Sequence, residues 1–370
     1  MSTIELEIQL LAVVVAVACA LPGVFLVLRR TALLSDAISH TVLLGIVLAF
    51  FAIGDLTSPL LILGAAAMGV VTVALVQVIE GTGLVREDAA IGLVFPALFS
   101  IAVILISLYA GDVHLDTDAV LLGELALAPF RRFVVGGRDL GPRGLWTMGG
   151  ILLLNLLFLS AFFKELKLST FDPGLAAALG LSPVLLHYAY MAVVSITAVG
   201  AFDSVGSILV VAFMIAPPAA AYLLSDRLPV VLLLSALIGA HCAISGYWLA
   251  RWMDASIAGS MATMAGVDFL LAFLFAPGRG FLAQARRHLR QKTEFAVSML
   301  AIHLLNHEGG PEEERECRVG HLPEHLLWSE EQVQRIVRDA ERSDLLEVRS
   351  GGTLRLTEIG RERARRAMAI

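Results

Sequence analysis

The chain predicts an all-α polytopic membrane protein of about nine transmembrane helices, followed by a small α+β domain. Three observations carry this. Apolar residues make up 58% of the chain and charged residues 16%, with a mean hydropathy of +0.81; a soluble domain sits near 45–50% and about 25%. The apolar excess is gathered into blocks of roughly 20 residues, the length that crosses the hydrocarbon of a bilayer. After Phe275 the composition turns abruptly polar.

In order, the spans fall near residues 8–28, 33–53, 59–79, 89–110, 145–163, 183–201, 205–224, 229–250 and 257–276. The first run is preceded by Glu5 and Glu7 and by no Lys or Arg, the wrong flank for a cleaved signal peptide, so it reads as a retained span. Arg29, Arg30, Arg86, Lys164, Lys167, Arg227 and the run from Arg279 to Lys292 share one side if the N-terminus is outside. By the excess of Lys and Arg on inner loops, that side is the cytoplasm. Arg131, Arg132, Arg138 and Arg143 in the 111–144 loop, and Arg251, break the rule, although Asp112, Asp116, Asp118 and Glu124 offset the loop. The chain thus divides into a transmembrane domain at 1–276, a basic linker at 277–292 and a cytoplasmic domain at 293–370. The three cysteines, Cys19, Cys242 and Cys317, form no CxxC pair, which argues against a disulfide framework or a cysteine-based zinc site. The net charge of −6 argues against nucleic acid as the main partner.

Asp36 and His40 are the most informative residues. They stand four apart in an apolar span, so they share one helix face about 6 Å apart along the axis. An ionisable group at membrane depth costs at least about 2.5–3.5 kcal/mol. A carboxylate with an imidazole suits a borderline divalent cation; the other reading is a hydrogen-bonded pair that only packs helices.

The segment from Ser35 to Gly45 resembles the second-span motif of the metal-type ABC importer permeases. Three further blocks are similar to the same family. Glu87 to Gly92 precedes the fourth span. Phe171, Asp172, Pro173, Gly174, Leu175, Ala176, Ala177, Ala178, Leu179 and Gly180 resemble its coupling helix, which docks on an ATPase. Ser195 to Ala220, with Asp203, Gly206, Pro217 and Pro218, resembles the helix pair that follows. The resemblance covers the whole membrane region and implies a permease for manganese, zinc or iron. Its metal ligands fall on Asp36 and His40. It also implies a cytoplasmic ABC ATPase subunit, an extracytoplasmic metal-binding protein and a second permease subunit, identical or sister, in a bacterial inner membrane. The ion is cargo, and no permanently bound cofactor is expected. From the residues alone, Asp172 is a favoured N-cap and Pro173 fits a first helical turn, and an ordinary surface helix satisfies that reading equally well.

A phosphate-binding loop needs Gly directly before its Lys. The lysines, Lys164, Lys167 and Lys292, follow Phe163, Leu166 and Gln291. The chain is therefore expected not to be an enzyme, with ATP hydrolysed on a partner. His241 and Asp268 lie in the last two spans without partners at helical spacing. Asp203 and Ser204 read as a solvated turn, and His114, Asp116 and Asp118 as a solvated loop.

In the tail, 293–308 reads as a helix. Ser329 and Gln332 have capping-box spacing. Residues 345–349 and 353–357 alternate around Ser350, Gly351 and Gly352 as a hairpin, and a helix at 358–369 follows. This winged-helix-like order resembles iron- and manganese-dependent repressors, which favours manganese or iron as cargo. The tail nonetheless carries eleven Arg and no Lys against fifteen Asp and Glu, and a DNA-binding module should show a basic face. A recruited scaffold fits better than a working repressor. His303 and His307 are four apart, as are His321 and His325, with Cys317 between; together they form a candidate regulatory metal site. The rival functional classes are a non-transporting membrane sensor and a permease for metal chelates such as siderophores. Repeated Gly and Pro interruptions favour transport, and a compact Asp/His site favours a bare ion.

Overall fold

Backbone N–H and C=O groups in hydrocarbon have no water to turn to, so each apolar block closes its hydrogen bonds as a helix. The computed structural model describes residues 3–54, 58, 60–109, 125–135 and 138–368. The order is α1 (Thr3–Leu28), α2 (Leu33–Ile53), α3 (Leu60–Gly81) and α4 (Glu87–Tyr109), then a 3-10 helix (Leu125–Phe130) and the strands β1 (Arg132–Val135) and β2 (Arg138–Pro142). There follow α5 (Arg143–Ala161), two short helices α6 (Phe163–Phe171) and α7 (Pro173–Ala178), then α8 (Pro183–Val205), α9 (Ser207–Leu224), α10 (Leu228–Met253) and α11 (Ile257–Phe275). Among the described residues nine helices are long and apolar enough to cross a membrane: α1 to α5 and α8 to α11. The ends expected from hydropathy move by a few residues, most at α1, which starts at Thr3 because Glu5 and Glu7 join the helix. The 111–144 loop is in part regular: β1 and β2 form an antiparallel hairpin, with Arg132 opposite Pro142.

Helix α1 is the core of this unit, with Leu11, Ala12, Val15, Ala16, Ala18, Cys19 and Phe25 fully buried. Its own Pro22 dictates how neighbours attach. Pro22 has no N–H, so the Ala18 carbonyl four residues back loses its helical donor. Buried Asn155 of α5 donates Nδ2–H to that carbonyl at 2.9 Å. The Thr197 hydroxyl of α8 lies 3.1 Å from Asn155 Oδ1, so one defect joins three helices. Ser235 of α10 donates to Ala20 O at 3.3 Å and Tyr190 of α8 to Pro22 O at 2.7 Å. A Cβ on Gly23 would sit 2.1 Å from the Met214 carbonyl of α9. Only a residue without a side chain lets α1 and α9 approach this closely.

At the end of the bundle that carries the chain's N-terminus, three of the five arginines that broke the loop-charge rule are paired. Arg131 meets Asp203 at 3.0 Å, Arg132 meets Glu7 at 2.8 Å and Asp139 at 3.4 Å, and Arg251 meets Glu5. Asp203 is therefore an ion-pair partner of the hairpin rather than a merely solvated turn residue.

A second compact unit spans residues 281–370. It holds α12 (Phe281–His307), α13 (Glu313–Glu316), α14 (Leu322–Leu326), α15 (Glu330–Arg342), β3 (Leu346–Val348), β4 (Leu354–Leu356) and α16 (Glu358–Met368). The stretch read as a basic linker is, from Phe281 on, the first turns of α12. Ser329 and Gln332 close a capping box on α15, and Val333, Ile336, Val337 and Ala340 form its buried stripe. Strand β3 pairs antiparallel with β4, Leu346 opposite Leu356, and Gly351 and Gly352 supply the positive φ their turn needs. The core gathers Leu300, Leu304, Leu322, Val333, Leu345, Leu346 and Leu354. Arg361 of α16 grips both carboxylate oxygens of Glu308 at 2.6–3.0 Å.

Two outcomes follow. Asn155→Leu leaves the Ala18 carbonyl without a donor in hydrocarbon and should lower stability in detergent by about 1–2 kcal/mol, read from the unfolding midpoint against wild type. The hydrogen bond from Arg361 holds the Glu308 carboxyl below its usual range. That contribution is complete above the ordinary carboxylate value of about 4.3 and is lost as pH falls through the depressed native value. Acidification through this window should speed hydrogen exchange in α16, corrected for the intrinsic rate, and Glu308→Gln should remove the dependence.

Candidate functional site

Helix α2 opens with Asp36 in its first turn. From Leu34 to Gly45 every residue is buried except two, Asp36 and His40. Their side chains are 46% and 30% exposed, and His40 Nε2 is 3.5 Å from Asp36 Oδ1. The ring of His40 is set by α4: it stacks on Phe95 with centroids 5.5 Å apart and meets Phe99 edge-on at 6.1 Å. A carboxylate and an imidazole therefore converge on one open strip of an otherwise buried stretch of helix.

The other polar groups nearby are spent on helix packing. Ser39 donates to Ser35 O at 2.8 Å, the hydroxyls of Thr41 and Thr72 are 2.7 Å apart, and Ser195 of α8 donates to Ala66 O of α3 at 3.0 Å. Small residues bring α2 and α3 together: a Cβ on Gly45 would lie 2.6 Å from Gly64 O and 2.8 Å from the Ala65 Cα. This packing closes the back of α2 and leaves Asp36 and His40 the groups with coordinating atoms to spare.

The segment 171–180 forms the end of α6 and all of α7. Asp172 Oδ1 accepts from Leu175 N at 2.9 Å with Pro173 in the first turn, and Gly180 closes the helix at φ +82°. Phe171, Leu175 and Leu179 are exposed at 63%, 47% and 65% while Ala176 is buried, so the short helix shows apolar side chains outward. Arg29, just past α1, ties this region down. It donates to Thr170 Oγ1 at 3.0 Å, to Ser169 Oγ at 2.9 Å and to His187 Nδ1 at 3.1 Å, and its guanidinium lies 5.2 Å from the Tyr190 ring centroid. Sequence reasoning gave Arg29 only a topological role. Its partners lie some 140 to 160 residues away, beyond any local pattern.

His241 and Asp268 do have partners: each other. His241 Nδ1 is 2.6 Å from Asp268 Oδ2 across α10 and α11, and Cys242 Sγ donates to the same oxygen at 3.2 Å. His114, Asp116 and Asp118 lie outside the described residues. In the C-terminal unit the structure brings His303 and His307 of α12 together with His321, His325 and Glu316. Cys317 does not join them. It is buried in the apolar core, and burial with the neighbouring Glu313, Glu308 and Glu316 pushes its thiol up to about 11. Burial lowers the pKa of His303.

The profile of the ABC 3 transport family matches residues 4–276. The zinc transport system membrane protein TroD of Treponema pallidum is 51% identical over 355 residues, 96% of either chain. The manganese transport system membrane protein MntD of Bacillus subtilis is 50% identical over 284 residues, 77% of this chain and 96% of that one. Among solved structures, PsaBC from Streptococcus pneumoniae in complex with Fab superposes with a TM-score of 0.64 at 29% identity, covering 77% of this chain and 96% of its counterpart. Profile, relatives and fold agree over the same nine-helix unit, and the chain belongs to the ABC 3 transport family.

Proposed function

We propose that the chain is the permease subunit of an ATP-driven importer of divalent transition metal ions, with Asp36 and His40 as the groups that meet the ion. One observation carries the site: in the run from Leu34 to Gly45, the two ligand-bearing side chains are the two left open. A carboxylate with an imidazole accepts manganese, iron and zinc alike, so selection among them comes from geometry and delivery. The relatives fit this breadth. The one that matches almost the whole chain is named for zinc, and a shorter one is named for manganese.

In this reading the open strip of α2 faces a pathway shared with a second permease subunit, identical or sister. An extracytoplasmic protein delivers the ion and a separate ABC ATPase supplies the energy. The N-terminus lies outside and the C-terminal unit in the cytoplasm. The excess of Lys and Arg on the loops that carry Arg29, Arg30, Arg86, Lys164, Lys167 and Arg227 supports that orientation. The exposed apolar side chains of 171–180 form the docking element for the ATPase, held to α1 through Arg29.

Asp36→Ala and His40→Ala should each cut cellular accumulation of Mn2+ or Zn2+ about tenfold or more, with normal amounts of the chain in the membrane; full uptake in both would remove the site assignment. Asp172→Ala removes the cap of α7 at a cost of about 1 kcal/mol, and Arg29→Ala frees α6 from α1. In proteoliposomes with the ATPase subunit, both should hydrolyse ATP without matching ion uptake. Transport that stays coupled in both variants would exclude 171–180 as the transmission element.

A further inference from the structure

The C-terminal unit contains a group of side chains that its fold does not explain. Glu316, at the end of α13, is 5% exposed. No hydrogen bond reaches its Oε2, although His325 Nε2 is 3.1 Å away and His321 Nδ1 3.7 Å. A buried carboxylate oxygen without a donor is costly unless a cation sits against it. Around it stand four imidazoles. The rings of His303 and His307 are 4.7 Å apart, those of His303 and His325 6.0 Å, and those of His321 and His325 4.9 Å.

The hydrogen bonds sort these rings by role. A carbonyl only accepts, so the 3.2 Å contact between His303 Nε2 and Glu316 O fixes the proton on Nε2. The His303 Nδ1 lone pair is then free. Metal-bound imidazoles are held in the same way, with the far N–H on a backbone carbonyl. His321 is the opposite case. Its Nε2 accepts from the Arg315 guanidinium at 3.2 Å, which leaves Nδ1–H facing Glu316. At 3.7 Å, beyond hydrogen-bond reach, that N–H is placed to orient the carboxylate rather than to offer a ligand.

We infer that His303, His307, Glu316 and His325 form a binding site for a divalent metal ion of the zinc class, with His321 as a positioning residue. The ligand atoms of His303, His307 and Glu316 lie within 4.8 Å of one another. Around tetrahedral zinc, with bonds of about 2.0–2.1 Å, they would stand about 3.4 Å apart, so these three must draw together by side-chain rotation, and His325 joins them through Glu316 Oε2, 3.1 Å from its Nε2. Three nitrogens and one oxygen favour zinc, nickel or copper over manganese and calcium. The bound ion would join the C-terminal end of α12 to the α13–α14 segment. The site is independent of Asp36 and His40, and stands or falls without them.

The test uses the full chain in detergent, freed of any affinity tag, in an Asp36→Ala/His40→Ala background so that the membrane site contributes nothing. Titration with Zn2+ should show about one ion per chain, and Co2+ should give the intense visible absorption of a tetrahedral site. Glu316→Gln and His303→Ala/His307→Ala should each weaken binding about a hundredfold or more. His321→Ala should weaken it about tenfold while keeping the cobalt spectrum. Because Glu316 is buried, His307→Ala/His325→Ala, which changes more exposed side chains, serves as the variant whose fold is checked by circular dichroism. Absence of Zn2+ binding in the background chain would overturn the site. So would unchanged affinity in Glu316→Gln together with the folded His307→Ala/His325→Ala variant, which would leave Glu316 as the partner of a protonated histidine.

Discussion

A polar backbone group in hydrocarbon must find its partner within the protein, and helix α1 shows what that demand builds. Its Pro22 removes one helical hydrogen bond and orphans the Ala18 carbonyl. The repair recruits Asn155 from α5 and, through it, Thr197 from α8. Carbonyls at Ala20 and Pro22 draw in Ser235 and Tyr190, and Gly23 lets α9 approach until backbone meets backbone. One proline and one glycine in α1 therefore specify which faces of four neighbouring helices turn inward.

The same demand makes the candidate pathway recognisable. Hydroxyls and amides in the interior are used up in holding helices together, as with Thr41 and Thr72 or Ser195 and Ala66. Asp36 and His40 are not; they keep coordinating atoms on an open strip while the rest of α2 around them is closed. The Asp268–His241 pair is the contrast. There the carboxylate is 13% exposed and already bonded to His241 and Cys242, so the pair reads as helix joinery between α10 and α11.

Much of this was legible in the chain itself, because length and hydropathy answer directly to bilayer thickness. All nine spans, the four-residue spacing of Asp36 and His40, the cap at Asp172 and the hairpin around Gly351 are local patterns. What stayed hidden depended on residues far apart in sequence. Arg29 counts as one more basic loop residue until Ser169, Thr170 and His187 arrive beside it. The arginines at 131, 132 and 251 look misplaced until Asp203, Glu7 and Glu5 are seen to meet them. The sequence reading joins Cys317 to the four histidines and does not include Glu316. Position along α13 decides otherwise, turning the thiol into apolar packing and the carboxylate toward the imidazoles.

Helix α1 is made before α9 and α10, which pack against it. Between Leu10 and Leu28 it carries no polar side chain other than the thiol of Cys19, and the bonds that anchor it are donated by its neighbours. Its side chains therefore ask little of the lipid, and the Ala18 carbonyl orphaned by Pro22 is met by a donor that a later helix brings. The polar cost of assembly is carried by the latecomers, and the order of translation matches the order in which those groups can be satisfied.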